Sequence, residues 1–171
     1  MHPYIHAKKN PDKPALIMAS TGKITTYKEL DERSNQIAHL FRQKGLNVGD
    51  SISIFMENNS RFLEICWAAQ RSGLYFTPIS SKLTANEARY IHDDCNSKFL
   101  ISSKYLKKVA NEIFTLTSNN SLHYMVDGVE NGWASFEEAI KDLPKTPVND
   151  QEMGQDMLYS SGTTGKPKGI R

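Results

Sequence analysis

Between Thr26 and Val126 capped helical stretches alternate with short, β-rich apolar runs, and nothing else in the sequence restricts the fold as strongly. Such alternation calls for an α/β architecture, strands and helices around a largely parallel sheet, because each parallel strand needs a crossover to bring the chain back. Thr26 and Glu29 form a capping box ahead of a helix over 27–44, whose Leu30, Ile37, Ala38 and Phe41 make an apolar stripe and which Gly45 stops. After the Val48-Gly49-Asp50 turn, residues 51–56 read as a strand packed into a sheet. The next helix, about 60–72, carries Phe62, Leu63, Ile65, Cys66, Trp67 and Ala69 on more than one stripe, so burial is expected around most of its circumference. Gly73 ends it, and 74–79 is a short strand that Pro78 terminates or confines to an edge. Thr84 with Glu87 caps a helix to about Asp94, 98–101 is a strand, 103–110 a helix, and 122–126 a further strand. Ser135 with Glu138 caps a short helix that ends before Pro144.

Residues 1–142 are thus expected to form an N-terminal α/β subdomain. From 143 to 155 the chain is polar and aperiodic, with Pro144 and Pro147, and reads as a connector. Residues 156–171 then supply a strand and a Gly-rich loop that open a further subdomain. Composition excludes other classes: 39% hydrophobic and 23% charged residues suit a globular domain, and a net charge of +2 is too small for a dedicated nucleic-acid binder. No apolar run approaches the ~18 residues of a membrane span, and no secretory signal precedes Cys66 and Cys95, so no transmembrane segment and a reduced, cytoplasmic setting are expected.

The chemistry concentrates in Ser160-Ser161-Gly162-Thr163-Thr164-Gly165-Lys166-Pro167-Lys168-Gly169, directly after the β pattern 156–159. Glycines at 162, 165 and 169 let a backbone turn sharply and bring N–H groups against an anion. The hydroxyls add short donors, Lys166 and Lys168 add charge, and Pro167 stiffens the exit. The Walker A pattern fails, because Pro167 stands where a Ser or Thr must follow Gly-Lys, and no G-x-G-x-x-G is present. A polyphosphate is the ligand this composition suits.

Tyr159 through Gly169 resembles, without a break, the phosphate loop of the adenylate-forming superfamily: acyl-CoA synthetases, firefly luciferase and the adenylation domains of peptide synthetases. Upstream, Ile24-Thr25-Thr26-Tyr27-Lys28-Glu29-Leu30 is similar to the family's "LTY-x-EL" segment, Val48-Gly49-Asp50 to its "GD-x-V-x-I" turn, and Ala68 to Ile79 with Glu87 to its "A-x-x-x-x-G … P-x-N … E" block. Ser80 and Ser81 depart from the usual Asn there. The resemblance implies ATP-dependent activation of a carboxylic acid, a fatty acid foremost, as an acyl-adenylate, followed by thioester formation with coenzyme A; magnesium accompanies the ATP. It places Ser160, Ser161, Gly162, Thr163, Thr164, Gly165 and Lys168 on the ATP phosphates and leaves Lys166 at a variable position. The family's catalytic lysine, magnesium-associated glutamate, adenine contacts and most of its acyl pocket come after this loop. The resemblance therefore implies the incomplete N-terminal part of the large adenylate-forming domain, with catalytic residues expected beyond Arg171, no metal ligand assigned, and little or no turnover from the chain by itself. A peptide-synthetase-type adenylation domain and a non-catalytic nucleotide-binding or interaction module are the rivals, and oligomeric state stays open.

Other conspicuous residues have plainer readings. His92-Asp93-Asp94-Cys95 is expected to be a capped helix end instead of a metal site, and Lys104, Lys107 and Lys108 a solvated helix face. Phe62, Ile65 and Trp67 are expected in the core, and Trp133 to pin its loop to that core.

Overall fold

The computed structural model describes residues 2–117, 120–160 and 167–170. A short helix, α1 (Pro3–Lys9), and an antiparallel pair, β1 (Pro14–Ile17) and β2 (Ile24–Thr26), come first. The expected alternation follows: α2 (Tyr27–Gln43), β3 (Ser51–Phe55), α3 (Ser60–Arg71), β4 (Tyr75–Ile79), α4 (Ala85–Asp94) and β5 (Ser97–Ser103). A 3-10 turn, Lys104–Leu106, leads into α5 (Lys107–Leu116), then β6 (Leu122–Val126), β7 (Ala134–Ser135) and α6 (Phe136–Ile140). The chain closes with β8 (Gln155–Asp156), β9 (Leu158–Ser160) and β10 (Lys168–Ile170).

Six strands form one parallel sheet in the order β7-β6-β5-β3-β4-β8. Every residue of β3 is buried, as a central strand covered on both faces must be. Side chains alternate across it. Ile52, Ile54, Phe99, Ile101, Tyr124 and Val126 point to a core shared with α2, α3 and α6, while Phe55, Leu100 and Met125 point to a second core under α4 and α5. Phe99 joins the first core through an edge contact with Phe41, centroids 5.5 Å apart, and a stack on Tyr124 at 5.2 Å. Trp133, 4% exposed, packs into the second, as its expected role requires.

Both capping boxes form in full: Thr26 accepts from the Glu29 N–H while Glu29 accepts from the Thr26 N–H, and Thr84 and Glu87 do the same. Gly73 stops α3 at φ +69°, a conformation costly for any residue with a Cβ. Pro78 sits inside β4, opposite Ile54, past the two residues that pair with β8, so among the described residues β3 is the strand paired with β4 at that point.

Three expectations need correction. The helix expected over 103–110 is a 3-10 turn, Lys104–Leu106, followed by α5, which begins at Lys107 and runs on to Leu116. The helix α3 is not buried around most of its circumference: Ile65, Ala68 and Ala69 face the core, but Phe62, Leu63, Cys66 and Trp67 are half-buried. The buried face also carries Glu64, fully enclosed, which accepts from Arg33 Nη1 at 2.9 Å and Arg61 Nη1 at 2.8 Å. Two guanidiniums offset the cost of burying one carboxylate. The expected strand over 156–159 is two strands, because the chain changes partners at Met157, whose N–H still donates to Phe76 O at 2.9 Å before β9 turns to pair with β10. Among the described residues no helix is long and apolar enough to cross a membrane.

Candidate functional site

The site begins with a hairpin. Antiparallel pairing of β9 with β10 sets Ser160 directly across from Lys168, Tyr159 across from Gly169 and Leu158 across from Ile170. The two ends of the phosphate loop are therefore held side by side by backbone hydrogen bonds, and both Ser160 and Lys168 are exposed. Ser161, Gly162, Thr163, Thr164, Gly165 and Lys166 lie outside the described residues.

At Gly169 the lack of a Cβ serves close packing against the chain's own side chains. A Cβ there would lie 2.3 Å from Met157 Cε and 3.1 Å from Tyr159 Cζ, so its bare backbone makes room for the tyrosine ring across the ladder. That ring anchors the hairpin. Tyr159 Oη donates to Asp94 Oδ2 at 2.6 Å, at the end of α4. Burial foremost, then this bond, pushes the phenol's pKa far up, so it stays a donor throughout the physiological range. One turn earlier on α4, Tyr90 Oη lies 3.3 Å from Pro167 O and 3.4 Å from Asp94 Oδ1, and its single proton serves one of them at a time. Pro167 thus meets α4 on one side of the loop and Tyr159 meets it on the other. Sequence reading included Tyr159 in the motif without a role; an aromatic placed to face a glycine across a hairpin was the available signal.

The remaining candidates resolve as structure. His92 is wholly buried, with Nδ1 2.6 Å from Ser53 Oγ and Nε2 3.0 Å from Ser121 Oγ, and the backbone caps α4 at Cys95 as expected. Among the described residues no group of three or more His, Cys, Asp or Glu side chains is placed to hold a metal ion. Lys104 and Lys107 are turned to Glu130, at 2.8 and 3.8 Å. Both cysteines are unpaired thiols, which burial pushes up to about 12 for Cys66 and about 11 for Cys95, well above the range of a reactive nucleophile.

Comparison with known proteins meets this geometry. The family model described as AMP-binding enzyme matches residues 4–171. Long-chain fatty acid transport protein 6 of Homo sapiens is 29% identical over 95% of this chain and 28% of its own length. The 3-oxocholest-4-en-26-oate–CoA ligase of Rhodococcus rhodochrous is 30% identical over 94% of this chain and 30% of its own. Tyrocidine synthase 3 of Brevibacillus parabrevis is 30% identical over 95% of this chain and 2% of the synthase. A solved anthranilate CoA ligase in complex with anthranoyl-AMP superposes with a TM-score of 0.86 at 23% identity, covering 98% of this chain and 33% of that one, which shows a shared fold. The chain spans less than a third of the length of each of the three relatives matched by sequence.

Proposed function

Since the chain belongs to the AMP-binding enzyme family, we propose that it contributes the pyrophosphate-holding part of an enzyme that activates a carboxylic acid with ATP. In that reaction a carboxylate oxygen attacks the α-phosphorus, the bond to the β-phosphate oxygen breaks, and an acyl-adenylate and pyrophosphate result. A thiol sulfur then attacks the acyl carbon and AMP leaves. The observation that carries this reading is the pairing of β9 with β10, which sets Ser160 and Lys168, the two ends of the Ser/Thr/Gly/Lys-rich sequence 160–168, side by side. Its role is electrostatic: Ser160, Ser161, Thr163 and Thr164 with the backbone at Gly162 and Gly165 donate to the β- and γ-phosphates, and Lys168 offsets the charge that builds on the leaving group. Magnesium enters with ATP, and no described residue of this chain is assigned to it. Residues 1–142 act as the supporting subdomain, 143–155 as the connector and 156–171 as the loop-bearing start of the next unit. A fatty acid as substrate and coenzyme A as acceptor are favoured by the fatty-acid and CoA-ligase names among the relatives; the tyrocidine synthase similarity supports an amino acid and a carrier thiol as the second reading. Unpaired, unreactive thiols suit a cytoplasmic setting.

The test is ATP–pyrophosphate exchange by the product of the whole reading frame with a panel of fatty, aromatic and amino acids. Exchange dependent on one acid class establishes the reaction and names the acid. Silence across the panel overturns the proposal in favour of a non-catalytic nucleotide-binding module.

A further inference from the structure

Asp94 occupies an unfavourable place for a carboxylate. It is the last residue of α4, where the helix dipole presents its negative end. Its neighbour Asp93 has Arg89 at 3.0 Å as a counter-ion. The partners of Asp94 are phenols: Tyr159 Oη donates to Oδ2 at 2.6 Å, and Tyr90 Oη lies 3.4 Å from Oδ1. An exposed negative charge at that end weakens α4 if it does anything to it, so its use lies in what it holds. What it holds is the phosphate-loop hairpin.

The hairpin needs such a tie. A two-stranded ladder by itself is marginal in water, and β9 and β10, three residues each, pair with one another in a sheet separate from the six-stranded one. Tyr159 reaches both strands from one side chain. Its ring stands over Gly169, where a Cβ would come 3.1 Å from Cζ and 3.2 Å from Oη, and its hydroxyl ends on Asp94. Ser160 follows Tyr159 and Lys168 precedes Gly169, so the tie sits one residue from each end of the loop. On the other side, Tyr90 reaches Pro167 O at 3.3 Å from the same helix. Preorganised donors act through placement, and displacing them lowers what they contribute. We infer that Asp94 is a positioning residue: through Tyr159 it fixes where β9 and β10 stand on α4, and so where Ser160 and Lys168 meet the β- and γ-phosphates. This role presupposes the phosphate-holding function proposed above, while the fastening of the hairpin to α4 does not.

The product of the whole reading frame is compared with Tyr159→Phe, Asp94→Ala, Asp94→Asn and the double variant carrying Tyr159→Phe and Asp94→Ala. In ATP–pyrophosphate exchange, Tyr159→Phe and Asp94→Ala are each expected to raise KM for ATP and for pyrophosphate about fivefold, with KM for the acid within about twofold of the parent. Asp94→Asn keeps an oxygen for the phenol and should recover most of the loss. The double variant should be no worse than either single one, because both remove the same bond. General damage to the fold would instead lower the active fraction, and with it kcat, at unchanged KM. A second readout is independent of the chemistry: amide hydrogen exchange along 158–160 and 168–170 should quicken about tenfold in Tyr159→Phe and Asp94→Ala, while 97–103 in β5 keeps the parent's rates. If Asp94→Ala fails to fold, Tyr159→Phe decides. A parent silent in pyrophosphate exchange overturns the proposed function and the phosphate role with it, and amide exchange then reads the fastening by itself. In an active parent, unchanged KM for ATP and pyrophosphate, additive losses in the double variant, or unchanged amide exchange overturns the role of Asp94.

Discussion

At Gly154 a side chain has nowhere to go: a Cβ would lie 2.4 Å from Leu74 O, 2.6 Å from Ala69 O and 2.8 Å from Leu74 N, all backbone atoms that cannot swing aside. Gly154→Ala is expected to cost about 2–3 kcal/mol by overpacking, lowering Tm by about 4–12 °C for a chain of this size; an unchanged melting curve would contradict the close approach. Lys168 is the opposite case, exposed beside the loop with its charge available to phosphate. In the whole gene product Lys168→Ala should lower exchange about a hundredfold and leave Tm within ~1 °C of the parent. A large loss of stability would assign the lysine to the fold. The motif around it was legible because glycine, hydroxyl and lysine in a fixed order carry their chemistry in their identities. The anchor of Tyr159 on Asp94 was not, since those residues are far apart in sequence and no spacing rule connects them. Arg71 and Glu64 were hidden for a related reason: their burial depends on partners from other elements, while sequence patterning marks charged residues as exposed.

Among the elements, those with long periodic patterns and explicit caps were the readable ones: α2, β3, α3, α4 and β6 begin and end within about two residues of their sequence limits. The helix α1 and the pair β1 and β2 escaped notice, being too short for any periodicity to accumulate. Caps give a direct test. Thr26→Ala removes the acceptor for the Glu29 N–H and should cost about 1 kcal/mol, read as a lower midpoint in urea with an unchanged slope. A second test crosses from α4 to β6. His123, in ring contact with Phe114 and Trp133, is pushed down to about 4 from its ordinary 6.5, by burial first and then by the neighbouring His92. The unfolded chain takes up that proton near 6.5 and the folded chain only near 4, so stability is full above about 6.5 and falls as pH drops through the window between them. His2 shifts in the same direction. Tm measured from pH 7 to pH 4.5 should therefore decline, and His123→Phe should make the decline shallower without abolishing it; an unchanged slope would mean that His123 is protonated in the folded state.

For the molecule as a whole, the doubly covered sheet explains why the fold class could be read at all: its central strands carry apolar runs such as Ile54-Phe55 and Phe99-Leu100-Ile101, and a helix returns the chain between each of β3, β4, β5 and β6. What the loop contributes to binding is more modest. A handful of charge-assisted hydrogen bonds at ~1.5–3 kcal/mol each faces an association and ordering cost of ~4–15 kcal/mol. Calorimetric titration of this chain with ATP should thus give a dissociation constant in the millimolar range or weaker; low-micromolar binding would show that further residues of this chain reach the nucleotide. The strand β8 has a different significance. Its Gln155 pairs with Tyr75, so the outer edge of the sheet is laid down by a segment made long after the strand it joins. On a ribosome, β3 to β6 with their helices emerge first and can order while the flank of β4 is still bare. The late arrival of β8 draws Met157 and the start of the hairpin onto that flank. Within residues 1–170, the order of synthesis thus brings the phosphate-loop hairpin to a sheet whose strands β3 to β6 precede it.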